Sequence, residues 1–132
     1  RALGNLNNIQ LSLGNLCHVD LAEGNATAAR ARLRECLAIN RRLQNLYGIA
    51  HWLPTLAETF RQEGDVATAA RILGAAETLL GQIGASLEAL ERSVYERAVV
   101  ALRDGMGKEA FESARHDGRA LSWEHAIALV GA

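Results

Sequence analysis

Tryptophan, tyrosine and phenylalanine together supply only 5% of the residues, and proline occurs once. Alanine, leucine, arginine and glutamate dominate instead, good helix formers with little side-chain branching, so the composition points to an all-α fold. Cysteine is limited to Cys17 and Cys36. Their spacing suits neither a zinc pair nor a redox pair, and a chain this large does not depend on disulfide staples, so both are expected to be small core residues. No apolar run approaches the roughly 20 residues of a membrane span, and no basic segment leads into an apolar signal core. A cytoplasmic protein without membrane contact is the expectation. Charge of one sign is also missing: the formal net charge is −1 and no basic stripe is present. Direct nucleic-acid contact is therefore not expected from this chain. No HExxH, Gly-x-Ser-x-Gly, CxxC, P-loop or helix-turn-helix recognition unit occurs, so no enzyme activity and no cofactor is expected. His116 and His125 stand nine apart, a spacing that suits no helical metal pair, and are read as solvated surface.

What is present is a helical pattern that repeats. With 49% hydrophobic and 22% charged residues, the 132-residue chain has the composition of one packed domain. At an offset of 40 residues Leu3 matches Leu43, Asn5 matches Asn45, Leu6 matches Leu46 and Ile9 matches Ile49. The match continues through Leu13 and Leu53, Leu16 and Leu56, Glu23 and Glu63, Gly24 and Gly64, Ala29 and Ala69, and Leu33 and Leu73. Periods of this size mark helical solenoids, in which a helix pair buries its apolar face only by stacking on its neighbours. Gly24 and Gly64 tolerate the left-handed backbone that ends a helix, and Asn25 and Asp65 behind them are natural N-caps. Seven helices are expected, over about 8–23, 26–43, 47–63, 66–81, 87–104, 108–119 and 123–130. Repeat units then cover about 7–43 and 47–83, with capping helices over 87–130 that depart from the pattern. Ser86 and Ser122 are the expected caps of the fifth and last helices. Trp123, Ile127 and Val130 make one apolar face, so the last helix is expected to fold back as a lid over the end of the stack. Left uncovered, that patch could instead pair two chains as a homodimer. Pro54 removes an amide donor four residues after Ala50, which predicts a kink or a late start in the third helix.

Leu53, Leu56, Ala57 and Phe60, followed by Ala69 and Leu73, resemble the tetratricopeptide pattern of large, small and aromatic positions. The first unit offers Leu13, Leu16, Cys17, Ala29 and Leu33, with Asp20 where the aromatic should stand. Ala70-Arg71-Ile72-Leu73-Gly74-Ala75-Ala76-Glu77, Gly118-Arg119-Ala120-Leu121-Ser122 and Glu124-His125-Ala126-Ile127 resemble the C-terminal end of LuxR-type and related bacterial transcriptional regulators. Those proteins join a DNA-binding module and a STAND-class ATPase to a tetratricopeptide tail. The resemblance implies a right-handed superhelix of antiparallel helix pairs. It also implies a part of a longer regulator that binds a protein or peptide partner, which the regulator's own modules could supply. In such stacks the first helix of each pair lines the concave face, which maps the binding surface to Leu11, Asn15, His18, His51, Thr55, Glu58, Arg61 and Gln62. A small-molecule effector pocket using His51, Trp52 and Glu58 is the alternative.

Overall fold

In a computed structural model that describes residues 2–131, seven α-helices form and no strand occurs among the described residues. They are α1 (Ala2–Ala22), α2 (Ala26–Arg42), α3 (Leu46–Gln62), α4 (Val66–Ile83), α5 (Ala89–Met106), α6 (Lys108–Arg119) and α7 (Trp123–Ala128), followed by a 3₁₀ turn over Leu129–Gly131. The turns divide the chain as the sequence predicts. Gly24 and Gly64 have φ of +76° and +89°, and Gln44 adopts the same left-handed backbone at +55° without being glycine. After each comes a capping side chain: Asn25 accepts from Ala28 N, Asn45 from Gly48 N and Asp65 from Thr68 N. In all three turns the capping residue's amide also reaches back five residues, to the carbonyls of Asp20, Asn40 and Phe60 at 2.7, 2.9 and 3.0 Å. That is the Schellman closure, which satisfies the last carbonyls of one helix while the Asx side chain satisfies the first amides of the next.

Such short turns make neighbouring helices antiparallel, and α1 with α2 and α3 with α4 form successive pairs. Polar and ring contacts fix their register. Gln10 Oε1 accepts from Asn40 Nδ2 at 3.1 Å and from Trp52 Nε1 at 3.0 Å, joining α1, α2 and α3 at one atom. Gly14 lies so close under the Trp52 ring that a Cβ there would sit 2.0 Å from it. Asp20, where an aromatic was expected, is buried and accepts from Arg32 Nε at 2.5 Å. Its counterpart Phe60 instead lies under the Arg30 guanidinium, 4.4 Å from the ring centre.

The third pair is built differently. Helix α6 packs on α5 but chiefly on α4, where two glycines let the backbones touch. A Cβ on Gly74 would stand 2.1 Å from the Arg115 carbonyl oxygen, and one on Gly118 1.9 Å from that of Arg71. Glu77 closes the same contact, accepting from Tyr95 Oη, from Arg119 Nε at 2.9 Å and from Arg115 Nη1 at 3.4 Å. The segments that resemble regulator C-termini thus meet each other in space.

Three expectations are corrected. Ser86 does not cap α5: the helix begins at Ala89 behind an extended Glu88 that makes no side-chain cap bond. Of the two outcomes expected from Pro54, the late start does not occur, because Asn45 caps α3 at Leu46 and the helix runs through Pro54 to Gln62. Nor does α7 lie over the end of the stack. Ser122 caps α7 through His125 N, and α7 folds back onto α4 and α3. Its 3₁₀ turn reaches α2, where Arg34 Nη2 donates to the Val130 carbonyl at 3.4 Å.

Candidate functional site

Helices α1, α3 and α5 each contribute one face to a shared groove of about 580 Å³. Helix α1 presents Asn15, His18 and Ala22, which follow one another by three and four residues, with Leu21 beside them. Helix α3 presents Glu58, Arg61 and Gln62, and α5 presents Leu90, Val94, Arg97 and Ala101. Five of the eight residues assigned to a concave face by sequence therefore meet: Asn15, His18, Glu58, Arg61 and Gln62.

The polar end of the groove is preorganised. Arg61 donates to Glu58 through Nε at 2.8 Å and Nη2 at 2.7 Å, a bidentate pair that keeps the guanidinium protonated. Gln62 Nε2 donates to the Leu21 carbonyl at 3.0 Å and to Glu58 Oε2 at 3.2 Å, tying α3 to the end of α1. Gln62 Oε1 is buried and has no hydrogen-bond partner among the described residues, so it keeps accepting capacity at the groove wall. Arg97 is exposed, donates only to the Ser93 carbonyl at 3.4 Å, and pairs with no carboxylate among the described residues.

The remaining three predicted residues do not line it, and of these Leu11 is exposed on α1. His51 Nε2 stands 3.3 Å from the buried Glu91 carboxylate, and its ring meets Trp52 edge-on with centres 4.6 Å apart. Burial holds His51 below the ordinary histidine range, against the opposing pull of Glu91 and Glu88. His18, whose ring is 5.8 Å from Trp52, is likewise lowered, first by burial. Thr55 is fully buried, so it belongs to the core and not to the groove. Helix α3 is covered by neighbours on several sides, which leaves only its 58, 61 and 62 positions facing the groove. The grouping of His51, Trp52 and Glu58 as one pocket also fails, since Trp52 is buried under Gly14 while Glu58 lines the groove. The α5 wall escaped the sequence reading because the third pair departs from the 40-residue pattern. The steps of four, three and four that join Leu90, Val94, Arg97 and Ala101 on one helix face were the available signal.

Both thiols are buried, and that burial pushes each up to about 12, with neighbouring negative charge adding to it. No cluster of three metal-ligating residues occurs among the described residues, and none of their helices is long and apolar enough to cross a membrane.

The chain is similar to three proteins provisionally named HTH-type transcriptional regulators, one from Mycobacterium bovis and two from strains of Mycobacterium tuberculosis. Identity is 33% over 109 residues in each case, and the match takes in 83% of this chain but 12% of each relative's length. No family model matches the chain. No solved structure matches it either. The similarity supports a regulator-related role.

Proposed function

We propose that the chain is the tetratricopeptide-like module of a bacterial transcriptional regulator, a non-catalytic scaffold whose groove between α1, α3 and α5 holds a protein or peptide partner. The observation that carries this reading is the groove itself. The first helix of each successive pair contributes one wall, as the tetratricopeptide resemblance implies, and the walls combine apolar side chains with unspent hydrogen-bonding capacity. Leu90, Val94, Leu21 and Ala22 offer apolar area, Gln62 Oε1 an acceptor, and Arg97 a cation at the rim. Buried apolar contact with a few placed polar groups is what partner surfaces and ligand pockets share.

The regulator's other modules are the partner that fits, acting in the cytoplasm. The test uses magnetic resonance of the chain, labelled with nitrogen-15, while the separately prepared remainder of the regulator is added. Asn15 and Gln62 side-chain amides and the Arg97 Nε signal should shift together, and Arg97→Glu should abolish the shifts while Lys108→Glu, outside the groove, should not. Shifts confined to other surfaces, or none, would remove the reading. A small-molecule effector is the second reading, favoured by a volume within the usual range of ligand pockets. Shifts of the same three side chains on adding a metabolite, with no response to protein modules, would select it.

A further inference from the structure

The repeat makes α1 and α3 equivalent, yet the two are not equally covered. Ile49, Leu56 and Thr59 of α3 are each 0% exposed, while their counterparts 40 residues earlier, Ile9, Leu16 and Val19, are 47%, 46% and 53% exposed. With Ser12 these three form one face of α1 by steps of three and four, turned about 100° around the helix from the face of Asn15, His18 and Ala22. The matching face of α3 meets the preceding pair in its first two turns. Gly48 abuts Asn40 of α2, and Trp52, the counterpart of Ser12, covers Gly14 of α1. Leu56 and Thr59 continue the Trp52 face at four and seven residues.

A second observation indicates what covers the corresponding face of α1. The pairs Gly24-Asn25, Gln44-Asn45 and Gly64-Asp65 stand 20 residues apart, and each ends one helix and caps the next. Gly4-Asn5 is the same signature 20 residues before the first of them, and Leu6 follows it as Leu46 follows Asn45. In the described chain it lies inside α1. We infer that Ile9, Ser12, Leu16 and Val19 form a docking surface for one more helix of the α2 kind, belonging to the same polypeptide and joined to α1 by a turn at Gly4-Asn5. That helix carries a stripe of small and large apolar residues at three-and-four spacing, as Ala29, Leu33, Cys36 and Leu37 do in α2. On docking, α1 begins at Leu6, and Asn5 becomes its cap. The inference rests on the repeat and not on the groove, so it stands or falls apart from the proposed function.

The test compares the 132-residue chain with the same chain extended by its natural upstream 40 residues. In each, Ser12→Cys and Leu11→Cys are labelled with a thiol reagent; Cys17 and Cys36 stay silent because they are buried and protonated. Both introduced thiols should react alike in the shorter chain. In the extended one, labelling of Ser12→Cys should slow by roughly tenfold or more, as for a site exposed only by local opening, while Leu11→Cys keeps its rate. Leu16→Ala should lower the Tm of the extended chain by roughly 5 °C or more and that of the shorter chain by less than about 2 °C. Equal labelling of both positions in the extended chain overturns the inference. So does concentration-dependent protection of Ser12→Cys in the shorter chain, which would assign the face to a second copy.

Discussion

At the scale of single residues, two histidines and two glycines make the structure testable. His18 and His51 are held neutral chiefly by burial, so their pKa values lie below those of the unfolded chain. The folded state then binds fewer protons. Stability from these groups is fully present above about pH 6.5 and is lost as pH falls through the lowered folded values. Thermal unfolding should therefore move to lower temperature between pH 7 and pH 5, and the His18→Asn, His51→Asn double variant should flatten that slope. Parallel curves for the two proteins would show that the imidazoles are not buried as described. Gly118 and Gly81 give an opposed pair. Alanine at 118 drives a methyl into the Arg71 backbone, which cannot swing aside, and should cost about 1–3 kcal/mol. Alanine at 81 meets nothing within 4 Å inside α4 and should stabilise by about 0.5–1 kcal/mol. Urea unfolding midpoints at unchanged slope report both. Had both substitutions the same sign, the close crossing of α4 and α6 would be wrong.

At the scale of elements, the helix-turn-helix pattern was legible wherever glycine marked it. Gly24 and Gly64 announced their turns, and Asn25 and Asp65 their caps, because a left-handed residue followed by an Asx side chain is local chemistry. The turn at Gln44-Asn45 was legible only as the gap between helices over 26–43 and 47–63, without its left-handed residue or its Asn45 cap, since glutamine gives no hint of positive φ. That residue carries a cost of about 1–2 kcal/mol that glycine avoids, so Gln44→Gly should raise stability by up to about 1 kcal/mol once the flexibility of glycine is set against it. A loss of stability on denaturant unfolding would mean that Gln44 is held by contacts outside its backbone. Ser86 misled for the opposite reason: it has cap chemistry, but an extended segment carries the helix start on to Ala89. The groove was legible on α1 and partly on α3, where helical spacing from a repeat gives the facing positions. Thr55 was misplaced because α3 is packed on more sides than α1, a tertiary fact that spacing does not carry. Arg97 and Glu77 draw their roles from how the third pair sits on the second, which no local pattern encodes.

At the scale of the whole molecule, the stack is bound at its back by α7 and the 3₁₀ turn. Ala126, Ile127 and Val130 are buried there, and burying the last two contributes about 3–6 kcal/mol together. Removing residues 123–132 should cost on the order of that amount in urea unfolding and should also speed amide exchange in α2, far along the sequence. Unchanged exchange in α2 would show that the terminal turn stabilises only its immediate neighbours. The bond from Arg34 to the Val130 carbonyl spans most of the chain, whereas the paired helices join segments adjacent in sequence. Local pairs close early in folding, and the long loop that brings Val130 to α2 must close late, because its entropy is repaid only once both surfaces exist. A linear array can nucleate at any repeat and lose one from its end with little effect on the rest. Here the first pair waits for the last turn, so the chain should refold as one cooperative unit whose slowest contact is its longest.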